Sequence, residues 1–380
     1  MTTSEPASSQ APMIDVSEAE PQGRSNELDD DRAHSIPLFE RIWETSHIGQ
    51  SIELVTSPEA ALSTGLDLVT IPSEYPFQSV AVVDIAESRT VCRVDSMPVK
   101  AKLLATAPDS ATSLFVADEN RIRQFSVPDC TLLEFFEFTS PADHVALGRA
   151  TDGGVLFAFS RADVLTISHW ETPEIAENRN GVVLQDIRFL PIDTTGTNHL
   201  LGYDGVFVRV FDPQNLEESA AIFAGPGLRS FSTARLESGI ELALILAYEW
   251  NNGVVAKQIS SGAQLFDFPA NNLARMAVAD HDADSFDEIA FADAQHGGIH
   301  VLDRSGAEIF FAQNPGQGVA ALHFADFQRD GTVEIAWVSL GDDGLHWTSI
   351  NTPANSGVER ARLHGYFDGN FHSQDAHAPD

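Results

Sequence analysis

The stretch Leu273–Gln313 reads LARMAVADHDADSFDEIAFADAQHGGIHVLDRSGAEIFFAQ. It holds four short apolar runs parted by turn residues. The first two runs flank an aspartate-rich loop, Asp280-His-Asp282-Ala-Asp284-Ser-Phe-Asp287-Glu288. Each run is too short for a helix and is rich in Val, Ile, Ala and Phe, which is the pattern of buried strands. The plan recurs from Gly318 to Ile350. There VAALHFAD leads into Asp326-Phe-Gln328-Arg-Asp330-Gly331-Thr-Val-Glu334, and then into IAWVSL and GLHWTSI.

Working backwards, the same grouping begins at Leu228, Asp186, His144, Val99 and Ile52. Successive starts lie about 45 residues apart, the period of a four-stranded propeller blade. Third and fourth runs complete most groups; the group at His144 has the vaguest fourth, somewhere within Glu174–Leu184. No stretch sustains a 3.6-residue apolar period. The chain is therefore expected to be all-β, a seven-bladed β-propeller over residues 37–352. Residues 1–36 form an acidic tail, too poor in apolar side chains to offset the entropy of ordering. Residues 353–380 form a second tail.

The seventh group lacks an outer run after Ile350. Leu38-Phe-Glu-Arg-Ile-Trp-Glu-Thr45 is an outer run without a group of its own. Its pairing with the last blade would close the ring through the N-terminal strand and remove an exposed edge. Val358–His364 is the competing closure.

Carboxylates at alternate positions of a tight loop can converge on one point, and a hard cation such as Ca²⁺ takes six to eight oxygen ligands. In the first loop Asp280, Asp282, Asp284 and Glu288 have that spacing; in the second, Asp326, Gln328, Asp330 and Glu334. The second offers a neutral amide at Gln328 beside Arg329, so it should bind more weakly. These loops, each followed by an Ile-Ala-hydrophobic strand, resemble the FG-GAP / VCBS-type repeat of integrin-like propellers. The resemblance implies that the eight residues are metal ligands, that the calcium is structural, and that the protein serves adhesion or assembly. The family glycine after Asp284 is replaced by Ser285. A solvated acidic loop capped by Asx-type turns is the plainer reading of the same residues.

The rest of the sequence narrows the function by exclusion. The chain carries 22 Lys and Arg against 56 Asp and Glu, a net charge of −34, and lysine occurs only at 100, 102 and 257. That field repels nucleic acid and anionic lipid. No apolar run is long enough to span a bilayer and no basic, apolar leader opens the sequence, so insertion in a membrane is not expected and the cytoplasm is. Extracellular or cell-surface placement stays open through the family resemblance. Cys92 and Cys130 are too few for a disulfide framework and are expected as buried thiols. No nucleophile elbow, phosphate loop or zinc spacing is present. The expected function is a non-catalytic scaffold for a protein partner. A glycan-binding propeller, with Trp250 beside Asn251-Asn252-Gly253 as its exposed aromatic, is the alternative, and a polysaccharide lyase or hydrolase follows.

Overall fold

The computed structural model describes residues 53–55, 67–71, 79–84, 89–95, 100–105, 112–127, 129–174, 176–250, 252–271, 273–293, 298–313, 319–325, 333–339 and 345–350. The chain divides into two units at Ser35/Ile36, and all described residues lie in the second. The expected closing strand, Leu38–Thr45, and its competitor, Val358–His364, fall outside them, as do Asp326, Gln328 and Asp330.

Among the described residues every regular element is a strand, and every pairing is antiparallel between neighbours in sequence. The first sheet is β1 (Glu53–Val55), β2 (Asp67–Ile71), β3 (Ser79–Asp84) and β4 (Arg89–Asp95). The second is β5 (Lys100–Ala105), β6 (Thr112–Ala117), β7 (Arg121–Ser126) and β8 (Leu132–Glu137). The third is β9 (His144–Arg149), β10 (Val155–Arg161), β11 (Val164–His169) and β12 (Ala176–Asn180). The fourth is β13 (Asp186–Pro191), β14 (Asn198–Tyr203), β15 (Phe207–Phe211) and β16 (Glu218–Phe223). The fifth is β17 (Leu228–Ala234), β18 (Ala243–Tyr248), β19 (Val254–Gln258) and β20 (Gln264–Phe268). The sixth is β21 (Leu273–Ala279), β22 (Glu288–Asp293), β23 (Gly298–Leu302) and β24 (Glu308–Gln313). The seventh has three strands among the described residues: β25 (Val319–Ala325), β26 (Glu334–Ser339) and β27 (Leu345–Ser349).

The first strand of each sheet lies against the first strand of the next, from β1 through β5, β9, β13, β17 and β21 to β25, and β25 lies against β1. Apolar side chains fill each gap between sheets. Phe115 and Ile122 of the second sheet meet Val145, Val155 and Phe157 of the third, for example. A sheet covered on both faces needs no alternation of apolar and polar residues. That is why β18, ALILAY, and β22, EIAFAD, are buried at every position. Trp337, mid-strand in β26, is fully buried. Trp170 is buried edge-on to Phe115 and donates its ring N–H to Gln124 Oε1 at 2.9 Å. Gly148 sits where a Cβ would come within 2.5 Å of the Phe189 side chain, so the third and fourth sheets approach closely only because that residue is glycine.

The outer strands follow a different rule. Register slips by one residue where β4, β8, β16, β20 and β24 pair with their neighbours, leaving Val91, Leu133, Ser219, Leu265 and Ile309 as the extra residues. Such bulges twist an edge away from further pairing. The regular outer strand among the described residues is β12, whose sequence AENRN is polar after its first alanine. Five edges are guarded by geometry and one by chemistry.

The two cysteines are not free thiols. Cys92 in β4 and Cys130 in the turn before β8 form a disulfide, with Cα atoms 5.2 Å apart. The expectation failed because pairing depends on how the second sheet lies on the first, which local sequence does not encode. No described helix is long and apolar enough to cross a membrane.

Candidate metal centre

The loop joining β21 to β22 is built by its own carboxylates. The β21–β22 ladder ends at Ala279 opposite Glu288, and the backbone then turns sharply. Asp280 accepts the N–H of Asp284 at 3.1 Å and of Ser285 at 2.9 Å. Asp282 accepts the same Asp284 N–H at 3.1 Å, and Asp284 accepts that of Phe286 at 2.8 Å. Ala283 and Ser285 take left-handed φ angles of 61° and 73°. Ser285 therefore adopts a backbone conformation that glycine takes without strain.

The result brings Asp280, Asp282 and Asp284 together, with carboxylate oxygens within 4.8 Å of one another. Oxygens bound to one Ca²⁺ at about 2.3–2.6 Å lie at most about 5 Å apart, so this donor set fits a hard cation in both spacing and chemistry. Without one, each pair of charges at this distance repels by about 1–3.5 kcal/mol for effective dielectric constants of about 80 to 20. Two arginines flank the Phe286 ring of the same loop. Arg304, in the β23–β24 turn, lies 4.1 Å from the centre of the Phe286 ring, and Arg235 lies 5.9 Å from it.

Glu288 is placed differently from the three aspartates. It is buried, and its Oε2 accepts the backbone N–H of His281 at 3.0 Å and faces His281 Nδ1 at 2.6 Å. His281, Asp282 and Glu288 form a second group within 4.8 Å that shares Asp282 with the first. His281 is also buried and lies 6.4 Å from the Phe324 ring of the seventh sheet. In the seventh sheet Glu334 is buried and stands opposite Ala325, the register place that Glu288 holds opposite Ala279.

Sequence reasoning passed over Asp287. Its carboxylate accepts the backbone N–H of Arg235, across the boundary with the fifth sheet. Burial pushes its pKa above the ordinary carboxylate value; Asp280 and Glu288 add to the rise and the Arg235 N–H opposes it. Its position beside Glu288 in the loop was visible, but its partner 52 residues away was not.

The arrangement of small sheets is shared with known structures. BBS1N in complex with ARL6DN, from crystals soaked with lead, matches with a TM-score of 0.62 at 12 % identity, over 85 % of this chain and 99 % of that one. The same complex soaked with mercury matches with a TM-score of 0.61 at 10 % identity and the same coverage. The fold is a β-propeller. No protein-family model and no curated protein sequence matches the chain. At this identity the likeness is one of fold, and the sheets can be called blades. The aspartate loop then joins the innermost strand of the sixth blade to its second.

Proposed function

We propose that this protein is a non-catalytic propeller scaffold that binds a protein partner, and that its sixth-blade loop of the FG-GAP kind holds a structural Ca²⁺. The observation that carries the scaffold reading is the match in fold, over 85 % of the chain, to a domain whose crystals hold it in complex with a second protein. Fold alone does not fix function. The surface adds to the case: Leu132, Leu133 and Phe135 of β8 are each about half exposed, as are several large apolar side chains elsewhere.

In this reading seven blades close into a ring. The contact of β25 with β1 supports closure; the seventh sheet has three strands among the described residues, and Leu38–Thr45, an outer run by its sequence, would be the fourth. Ca²⁺ is supported by the convergence of Asp280, Asp282 and Asp284, with Glu288 bracing the loop through His281. Asp326, Gln328, Asp330 and Glu334 would hold a weaker second ion. The Cys92–Cys130 bond favours an oxidising compartment over the cytoplasm.

The test is cross-linking of the full chain in its native host, followed by mass spectrometry. A protein cross-linked reproducibly at defined propeller residues supports the scaffold; recovery of none rejects it. Trp250, 65 % exposed, favours carbohydrate as the second reading. Glycan binding lost on Trp250→Ser would establish that reading instead.

A further inference from the structure

Four large apolar or ring side chains gather where the fourth blade hands over to the fifth. Val206 lies in the β14–β15 turn, Phe223 ends β16, Pro226 lies in the connector to β17, and Trp250 lies in the β18–β19 turn. Val206 is 42 % exposed, Phe223 57 % and Trp250 65 %, and Pro226 is exposed as well. They are neighbours. The Val206 carbonyl accepts the N–H groups of Ala224 and Gly225, at 2.9 and 2.8 Å. The Gly227 carbonyl accepts the N–H of Glu249 at 2.8 Å, and a Cβ on Gly227 would lie 3.2 Å from the Trp250 ring.

The patch is held rigid from beneath. The buried Tyr203 hydroxyl lies 2.8 Å from the carbonyl oxygens of both Gly205 and Gly225 and shares its single proton between them. The buried Tyr248 hydroxyl donates to the Ala224 carbonyl at 2.6 Å. Gly225 and Gly227 have φ of 78° and 80°, which no other residue adopts as readily. Phe223 is steadied from the side by the edge of Phe207, 5.8 Å between centres. Exposed aromatics on a pre-ordered backbone pay little entropy on being covered, which is the character of a binding hot spot.

We propose that this patch docks a segment of a protein partner that carries apolar or aromatic anchors flanked by lysine or arginine. The inference rests on the scaffold reading and names its surface. Charge selects the occupant. The chain carries a net −34, which opposes a second copy of itself and any anionic surface. Exposed Glu249 adjoins Trp250 within the patch. Two cations among the described residues lie near the patch: Lys257 donates to the Phe223 carbonyl at 2.7 Å and stands 5.6 Å from the centre of the Phe223 ring, and Arg229, one residue into β17, is exposed. The field of the whole chain, at −34, therefore outweighs these two cations and favours a basic segment, whose anchors cover the apolar centre.

A library of random 16-residue peptides displayed on phage, panned against the immobilised full chain, tests this. The expected peptides combine aromatic or leucine anchors with Lys or Arg. They lose about tenfold or more in affinity for the double variant Trp250→Ser, Phe223→Ser, and none for Ile309→Ser on the outer strand of the sixth blade. If the double variant melts well below wild type, Trp250→Ser alone serves, since its side chain is mostly in solvent. Absence of enrichment, enrichment of acidic peptides, or equal binding to wild type and variant overturns the proposal. So does a concentration-dependent dimer dissolved by the variant, or Trp250-dependent binding on a glycan array. A host partner that cross-links equally to wild type and double variant removes this surface and leaves the scaffold reading standing.

Discussion

Asp287 and Arg235 bind each other twice: the Asp287 carboxylate accepts the Arg235 N–H at 2.5 Å, and the Asp287 N–H donates to the Arg235 carbonyl at 2.9 Å. The pair fastens the sixth-blade loop to the fifth blade. It also confines a carboxylate whose pKa is raised, by burial first and by Asp280 and Glu288 after it. A raised carboxylate pKa means that the folded protein holds the proton more firmly than the unfolded chain. The stability this group contributes is full below the ordinary carboxylate range, and it is lost as pH rises through the higher folded value. Above the ordinary carboxylate range the group is thus a cost.

Asp287→Asn keeps an oxygen for the Arg235 N–H and removes that cost. It is expected to melt higher than wild type at pH 7 and to show a flatter dependence as pH rises above the ordinary carboxylate range. Asp287→Ala, which orphans the N–H, is expected to melt lower by about 1–3 kcal/mol of stability. Melting curves across that range decide it; an Asn variant that melts below wild type at pH 7 sinks the argument.

Ser285 has φ of 73° where an L-residue is strained and glycine is not. Ser285→Gly relieves roughly 1 kcal/mol or more of left-handed strain, and gives back part of it as unfolded-state entropy. A net gain of about 0.5–1 kcal/mol in denaturant midpoints is expected. A loss would show that the Ser285 side chain does more for the loop than its backbone angle suggests.

These loop features mark how far the sequence could be read. The strands of the sixth group and its aspartate loop stand out because apolar runs and turn residues alternate locally. The same signal faded at β12, since Ala176–Asn180 is an outer edge with no apolar face to show. The Asp280, Asp282 and Asp284 cluster followed from spacing within one turn. The role of Asp287 and the bond from Cys92 to Cys130 did not, because each depends on a partner 52 or 38 residues away whose position is set by sheet packing. The bulges at Leu133, Leu265 and Ile309 hid for a related reason: one extra residue in an apolar run looks like more strand.

The disulfide ties the second blade to the first across a 38-residue separation. Closing a loop of that size removes unfolded-state entropy equivalent to roughly 4 kcal/mol in the chain-entropy account, with measured cases usually about 2–4. Cys130→Ser, or wild type in excess thiol reductant, should melt lower by an amount in that range. Mass spectrometry of the unreduced protein should find no free thiol. Identical melting with and without reductant would mean that the bond does not brace the fold.

Tyr248 is pushed up to about 12 by burial and then by its neighbour Tyr203, and burial raises Tyr203 too. Unfolded tyrosine ionises near pH 10, so the stability these groups lend is intact below that pH and is lost as pH climbs towards 12. Tyrosinate absorbance should therefore lag for two of the four tyrosines, and should appear together with unfolding. A single smooth titration near pH 10 in the folded protein would place both hydroxyls in water.

Removal of calcium is the remaining test, and it bears on the whole aspartate loop. Three carboxylates with oxygens within 4.8 Å repel one another unless a cation sits among them. An ion bound only by the folded state stabilises it by mass action, about 2.7 kcal/mol at one hundred times its dissociation constant. Calcium added to chelator-treated protein should raise the melting temperature by several degrees. Magnesium should do less, since it demands a tighter octahedron and gives up water reluctantly. Asp282→Ala removes the carboxylate shared by both side-chain groups of the loop and should abolish the calcium response. Asp287→Asn, directed at Arg235, should keep most of it. A melting curve unmoved by calcium in the wild type would leave the three aspartates as turn-capping residues, held by the N–H groups of Asp284, Ser285 and Phe286 alone.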